Sequence, residues 1–127
     1  MTTPQAVTAA IPRARVGSVI LSTQDMSAAL AFYRDAFGFE AIMADGEHWA
    51  TVDGYGTKLS LAGKREQLGE PVALAVKVAD LDATLAAAMA AGGLQVGEIA
   101  LSAHERRVSL RTPDGHLISL YSPLGVS

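Results

Sequence analysis

Apolar residues recur along this chain with two different periods, and these periods predict alternating strands and helices. Residues 16–22 and 72–78 are aliphatic and β-branched runs bounded by polar or turn residues, which is typical of buried strands. Each run precedes apolar residues at helical spacing, first Met26, Ala29, Leu30, Tyr33 and Phe37, then Leu81, Leu85, Ala88 and Met89. Asp25 and Asp80 stand where an N-cap residue would accept a bond from a free backbone amide.

Three further strands are predicted after each helix. Gly38 and the pair Gly92-Gly93 can end the helices in a left-handed conformation. The predicted strands cover residues 39–44, 48–52 and 58–62 in the first half, and 95–100, 107–111 and 117–121 in the second. Turn residues at 53–56 and 113–116 indicate hairpins. We expect the aromatic residues on or just after the first helix to be core residues: Phe32, Tyr33, Phe37 and Phe39.

The two halves are copies of one βαβββ unit. An offset of 55 residues carries Asp25 onto Asp80 and Gly38 onto Gly93. The predicted fold is therefore α+β: one domain at 16–123, with modules at 16–62 and 72–123, a linker at 63–71 and a flexible leader at 1–15. The modules are expected to form a curved mixed sheet whose outer face the helices cover. The other face forms a cleft that a partner chain, solvent or a ligand must cover.

Composition narrows the possible functions. The 127 residues suit one domain, and the net charge of -3, with no run of Lys or Arg longer than two, argues against nucleic acid. The chain has no Cys, which excludes disulfides and thiolate chemistry and agrees with a cytoplasmic location. No apolar run approaches the roughly 20 residues of a membrane helix.

Two segments carry a family resemblance. Residues 31–39, Ala-Phe-Tyr-Arg-Asp-Ala-Phe-Gly-Phe, and residues 112–120, Thr-Pro-Asp-Gly-His-Leu-Ile-Ser-Leu, resemble segments of the vicinal oxygen chelate superfamily. This superfamily has the glyoxalase, bleomycin-resistance and extradiol dioxygenase fold. A duplicated βαβββ unit is similar to that fold, and the resemblance covers nearly all of residues 16–123.

The resemblance also implies four metal-ligand positions, in the middle of the first and last strand of each module. This sequence has Ser18, Ser60, Ala73 and Ser119 there, and the neighbouring residues are equally inert. Neutral hydroxyls and a methyl group cannot replace the imidazole and carboxylate donors that a divalent metal needs. We therefore expect a member of the superfamily that has lost its metal ligands, with no metal and no cofactor.

Several other residues are candidates for the cleft. His48 and Trp49 are adjacent, so one should face the cleft and the other the helices, but the sequence does not decide which. Trp49 could stack on a planar ligand or belong to the core, and His48 could be an acid or base. Arg107, Ser109 and Arg111 face the cleft if Val108 and Leu110 pack against a helix, which would suit a carboxylate ligand. The alternative is that these three residues lie on a face of the sheet that is exposed to solvent.

Tyr121 completes the candidate ligand-binding set, and His104 is either a solvated loop residue or a second acid–base candidate. Tyr55, at a hairpin tip, is a dimer contact, a lid or a simple turn residue.

Three functions remain open. The favoured one is a homodimeric protein that binds a small organic molecule, such as an antibiotic or natural product, in the cleft. The alternative is a metal-independent isomerase or lyase with His48, His104 or Glu47 as acid or base. The third is a structural or regulatory dimer without a ligand. The sequence also leaves open whether the modules pair within one chain or by exchange between chains.

Overall fold

The computed structural model describes residues 12–66 and 69–124, which form an α+β fold with one mixed sheet. The first module contains β1 (Arg15–Ser22), α1 (Met26–Phe37), β2 (Ala41–Asp45), β3 (Trp49–Asp53) and β4 (Lys58–Ala62). A short 3-10 turn follows at Lys64–Glu66. The second module contains β5 (Val72–Lys77), α2 (Leu81–Ala90), β6 (Leu94–Leu101), β7 (Glu105–Arg111) and β8 (Leu117–Pro123). The predicted order of elements is therefore confirmed.

The two modules join in the middle of one eight-stranded sheet, with strand order β2-β3-β4-β1-β5-β8-β7-β6. The central strands β1 and β5 are antiparallel and pair Ile20 with Ala73 and Ser18 with Ala75. The 55-residue offset carries Ile20 onto Ala75 and Ser18 onto Ala73, so it converts one pair into the other. The repeat in the sequence therefore becomes an approximate two-fold relation between the modules. The modules thus pair within one chain.

Both helices begin and end with the local chemistry that their sequences predict. The Asp25 carboxylate accepts a hydrogen bond from the Ala28 amide at 3.0 Å, and Asp80 accepts one from Ala83 at the same distance. Gly38 ends α1 with a φ of 75°, a left-handed conformation in which the missing Cβ avoids strain. These caps fix where the chain turns back toward the sheet.

The core lies on both faces of the sheet because strand residues alternate between faces. Under α1, a cluster includes Met26, Val52 and Leu61, and under α2 a larger one includes Leu85 and Val108. A third cluster, on the cleft face, contains Ile20, Ala62, Ala73, Ala75 and Leu117, with Trp49 and Tyr121 packed against it. The small residues of this third cluster form a shallow floor.

The expectation that all four aromatic residues around α1 are core residues was wrong for two of them. Phe32 and Phe37 are each 57% exposed, whereas Tyr33 and Phe39 pack against the cluster under α1. Only one side of α1 reaches the sheet. The outward Phe32 and Phe37 rings instead pack edge-to-face on each other, with centroids 5.6 Å apart.

Some expectations concern segments outside the described residues. Residues 1–11 of the predicted leader and residues 67–68 of the predicted linker lie there. Within the described part of the chain, neither helix is long and apolar enough to cross a membrane.

Candidate functional site

The uncovered face of the sheet contains a cavity of about 200 Å³ at the centre of the domain, which we call the central cleft. Strands of both modules contribute to it. Its lining consists of Ser18, Ile20, Trp49, Ser60, Ala75, Glu105, Arg107, Ser119 and Tyr121. Because a cavity of about 150 Å³ can hold a benzene molecule, this volume suits a small organic molecule.

Two serines from adjacent strands form the middle of the cleft floor. Strands β1 and β4 run parallel, with Ile20 opposite Ser60, so Ser18 and Ser60 lie on the same face. Their hydroxyl oxygens are 2.8 Å apart and share a buried hydrogen bond. One hydroxyl therefore donates to the other, and the pair occupies two of the positions where the family resemblance implies metal ligands.

The residues at all four implied ligand positions do not fit a metal. The Ser18 and Ser60 hydroxyls are engaged with each other, and Ala73 has no donor atom. Ser119 contributes one neutral hydroxyl, whereas Zn²⁺ and similar ions take carboxylate, imidazole or thiolate donors. Within residues 12–66 and 69–124, no three His, Asp or Glu side chains come together as a metal-holding group. This donor set cannot anchor a divalent ion.

Ser119 is the least satisfied polar group of the cleft. It is only 2% exposed, and its hydroxyl forms no hydrogen bond to any described residue. Its cross-strand neighbours are Ala75 on β5, which offers a methyl group, and Ser109 on β7. Most buried polar side chains in proteins have a partner, so a hydroxyl without one points to a ligand or an ordered water.

An ion pair forms one wall of the cleft. Glu105 and Arg107 are two residues apart on β7 and so share a face, and the Arg107 Nε lies 2.9 Å from a Glu105 carboxylate oxygen. A second Arg107 nitrogen donates to the same oxygen. The sequence suggested that Arg107 is available to a ligand carboxylate, but in the structure its guanidinium already has an acidic partner.

Tyr121 closes the cleft beside this ion pair. Burial raises the pKa of its phenol, and the nearby Glu105 carboxylate adds to the increase, while Arg15 and Arg107 oppose it. The ring is accommodated because residue 17 lacks a side chain: a Cβ there would lie 2.1 Å from the Tyr121 hydroxyl oxygen. Gly17 also lies at an irregularity in the pairing of β1 with β5. A neutral phenol therefore faces the cleft at neutral pH.

Six of the ten predicted ligand-binding residues line the central cleft: Ser18, Trp49, Ser60, Arg107, Ser119 and Tyr121. The structure resolves the alternative between adjacent residues, since Trp49 lines the cleft and His48 does not. His48 lies just before β3 and lines a separate cavity of about 250 Å³ with Glu47. There its Nε2 is 3.5 Å from an Arg65 nitrogen.

The other predicted residues lie around the cleft. Ala73 is buried in the cleft-face cluster with Ile20, and Ser109 is half-buried opposite Ser119. Arg111 is held by Glu70 at 2.9 Å and by the Gly115 carbonyl. His104 is exposed in the turn between β6 and β7. Neither candidate acid–base histidine therefore reaches the cleft.

Sequence reasoning missed three cleft residues: Ile20, Ala75 and Glu105. The alternation of strand residues could have identified Ile20 and Ala75, since each is two positions from an implied ligand position. Glu105 was missed because the predicted strand began at residue 107, whereas β7 begins at Glu105. Extending the strand by two residues gives the alternating set Glu105, Arg107 and Ser109.

The match to known proteins agrees with this fold. Residues 15–120 match the family model of the glyoxalase/bleomycin resistance protein/dioxygenase superfamily, and the chain therefore belongs to that superfamily. The vicinal oxygen chelate fold expected from the sequence is thus confirmed. An uncharacterized protein of Mycolicibacterium smegmatis is 34% identical over 110 residues, which cover 86% of this chain and 94% of that protein.

Two solved structures illustrate the range of the superfamily. A superfamily member from Vibrio splendidus 12B01 superposes with a TM-score of 0.67 at 21% identity, covering 87% of this chain and 99% of that one. The Mn(II)-bound glyoxalase of Novosphingobium aromaticivorans gives a TM-score of 0.59 at 25% identity, covering 87% of this chain and 40% of that one. The fold is thus similar to that of a metal-bound relative, although this chain has serine and alanine at the four implied ligand positions.

Proposed function

We propose that this protein binds a small organic molecule in the central cleft without the help of a metal. The observation that carries the proposal is the buried Ser119 hydroxyl, which lacks a partner among the described residues and lines a cavity. A ligand acceptor or donor placed there would satisfy it and recover the desolvation cost of about 1 to 3 kcal/mol. Trp49, on another wall, offers a flat surface for a planar group.

Antibiotics and natural products are the ligand class we propose, by similarity to the bleomycin-resistance members of the superfamily. Such a protein needs an apolar surface with a few orienting polar groups, and Ile20, Ala75 and Trp49 lie beside three serines here. The enzymatic alternative has less support, because His48 and His104 lie outside the cleft. We place the protein in the cytoplasm, which the absence of Cys favours.

A homodimer is part of this proposal. The outward aromatic rings of α1 and the exposed Ile42 and Met43 of edge strand β2 leave apolar surface uncovered on a single chain. Light scattering on the purified protein tests this feature, and a mass of one chain across the working concentration range would contradict it.

The binding proposal is tested with Trp49, the only tryptophan of the chain. Its fluorescence is followed during titration with a panel of aromatic antibiotics and natural products. We expect saturable quenching by at least one compound. The variant Ala75→Leu fills part of the cleft and should lower the affinity for that compound by about tenfold or more, because the displaced contacts are worth more than about 1.4 kcal/mol.

The matched control is Ala87→Leu, the same change on the exposed side of α2. This variant should bind like the wild type. The proposal fails if no compound quenches the wild-type protein, or if Ala75→Leu binds the quenching compound as tightly as Ala87→Leu does.

A further inference from the structure

The positive charges of this acidic protein are distributed unevenly. Of its ten Lys and Arg residues, four form ion pairs with carboxylates: Arg34, Arg106, Arg107 and Arg111. Four others, which lie together at one end of the sheet, form no ion pair with any described residue: Arg13, Arg15, Lys58 and Lys77. Every Asp and Glu side chain of the sequence lies within the described residues.

Strand register places three of these unpaired cations, Arg15, Lys58 and Lys77, on the cleft face. Arg15 on β1 lies opposite Lys77 on β5, and Lys77 lies opposite Tyr121 on β8, so the three residues form one row across the sheet. Lys58 begins β4, the neighbour of β1 on the other side. We call Arg15, Lys58 and Lys77 the basic rim.

The basic rim lines a cavity of about 450 Å³, and no carboxylate contributes to its lining. The nearest acidic residue by register is Asp53, opposite Lys58 on β3. One Asp53 carboxylate oxygen accepts the Tyr55 backbone amide at 2.8 Å, and no ion pair joins Asp53 to Lys58. Three like charges in one concave surface repel one another, and an anion would relieve that repulsion.

This cavity and the central cleft share one wall. Tyr121 lines both, and Ser119 lies two residues along β8, a distance of about 7 Å at the usual strand rise. Because Gly17 has no side chain, the Tyr121 hydroxyl lies directly against β1 at the point where Gly17 also lines the rim cavity. A molecule about as long as a substituted benzene ring with a charged group could extend from Ser119 to the rim.

We infer that the ligand of the central cleft carries an anionic head, a carboxylate or a phosphate, which the basic rim of Arg15, Lys58 and Lys77 binds. This inference rests on the proposed function and specifies its ligand class. Arg15 offers the planar donor pair that suits these oxyanions, and the two lysines add point charges. Since all three side chains are exposed, their contribution should weaken as salt screens it.

The experiment compares three probes of similar shape by isothermal titration calorimetry: benzoate, phenyl phosphate and neutral benzamide. At least one charged probe should bind the wild-type protein about tenfold more tightly than benzamide, as a charge-assisted hydrogen bond can provide. The difference should shrink between about 50 mM and about 500 mM salt. Whether benzoate or phenyl phosphate binds more tightly distinguishes a carboxylate head from a phosphate head.

Two double variants locate the effect. Arg15→Gln/Lys77→Gln should abolish the preference for the charged probe, while Lys64→Gln/Arg65→Gln removes the same charge elsewhere and should preserve it. Ala75→Leu should lower the affinity for the charged and the neutral probes alike.

Equal affinity for charged and neutral probes, with both sensitive to Ala75→Leu, would overturn the anionic head and leave the proposed function intact. A charged probe that binds the rim but ignores Ala75→Leu would also overturn the inference, because the rim would then be separate from the cleft. If no probe binds, both the inference and the proposed cleft lose their support.

Discussion

The hydrogen bond between Ser18 and Ser60 gives a quantitative test of how the cleft floor is built. These side chains are 8% and 5% exposed, and their oxygens are 2.8 Å apart. Replacing one serine by alanine removes the bond and strands the other hydroxyl, which should cost about 1 to 2 kcal/mol. When both serines are replaced, no hydroxyl is left without a partner. The double variant should therefore lose no more than about 1 kcal/mol.

The expected coupling between the two changes is therefore about 1 to 2 kcal/mol, within the range for residues in direct contact. Guanidinium chloride unfolding of the wild type, Ser18→Ala, Ser60→Ala and the double variant measures it. For a chain of this length, 1 kcal/mol corresponds to about 4 °C in melting temperature, which provides a second readout.

The same sheet contains a matched control pair. Ser109 and Ser119 lie directly opposite each other on β7 and β8 but form no hydrogen bond. Because no hydrogen bond joins them, their alanine changes should couple less strongly than those at Ser18 and Ser60. Coupling at Ser18 and Ser60 that is no larger than in this control pair would refute the account of the cleft floor.

Three further predictions concern the walls of the cleft. Ser119→Ala should leave the free energy of unfolding unchanged or raise it by up to about 1 kcal/mol, because it removes a buried hydroxyl without a partner among the described residues. Its ligand affinity, measured by Trp49 quenching, should fall. A loss of stability would contradict this prediction. Gly17→Ala should cost about 1 to 3 kcal/mol by pushing on the Tyr121 hydroxyl. In that background, Tyr121→Phe removes the nearest contact but not the two ring carbons behind it, so it should recover part of the loss in denaturant unfolding; no recovery would show that the clash lies elsewhere. The raised pKa of Tyr121 predicts that its phenol ionises above the usual value near 10, as measured from the phenolate absorbance of the wild type minus that of Tyr121→Phe. It also predicts that, above about pH 10, the stability of the wild type falls more steeply than that of Tyr121→Phe. Equal slopes would contradict it.

The fold was predictable because the signals that specify it are local and occur twice. Aspartate caps, a left-handed glycine after α1 and alternating strands each act over a few residues, and the repeat at Asp25 and Asp80 shows them in both modules. The register at the centre of the sheet then follows from the alternation of buried residues.

The cleft was less predictable because its chemistry depends on distant partners. Arg111 is 41 residues from Glu70 in sequence, so nothing near Arg111 indicates that its guanidinium is already paired. Phe32 and Phe37 are exposed because only one side of α1 packs on the sheet, and the way the helix lies on the sheet decides which aromatic residues are on that side. The choice between His48 and Trp49 depends on the register of β3 against β4, which places Trp49 opposite the cleft-face residue Ala62.

The central claim is that the cleft operates without a bound metal, and elemental analysis of the purified protein tests it most directly. The sample is prepared without chelators, incubated with Mn²⁺ and Zn²⁺, and desalted. Since the positions implied as ligands are Ser18, Ser60, Ala73 and Ser119, we predict only traces of either metal, well below one ion per chain. One tightly held divalent ion per chain, lost on replacing Ser119 or Glu105 by alanine, would contradict the account.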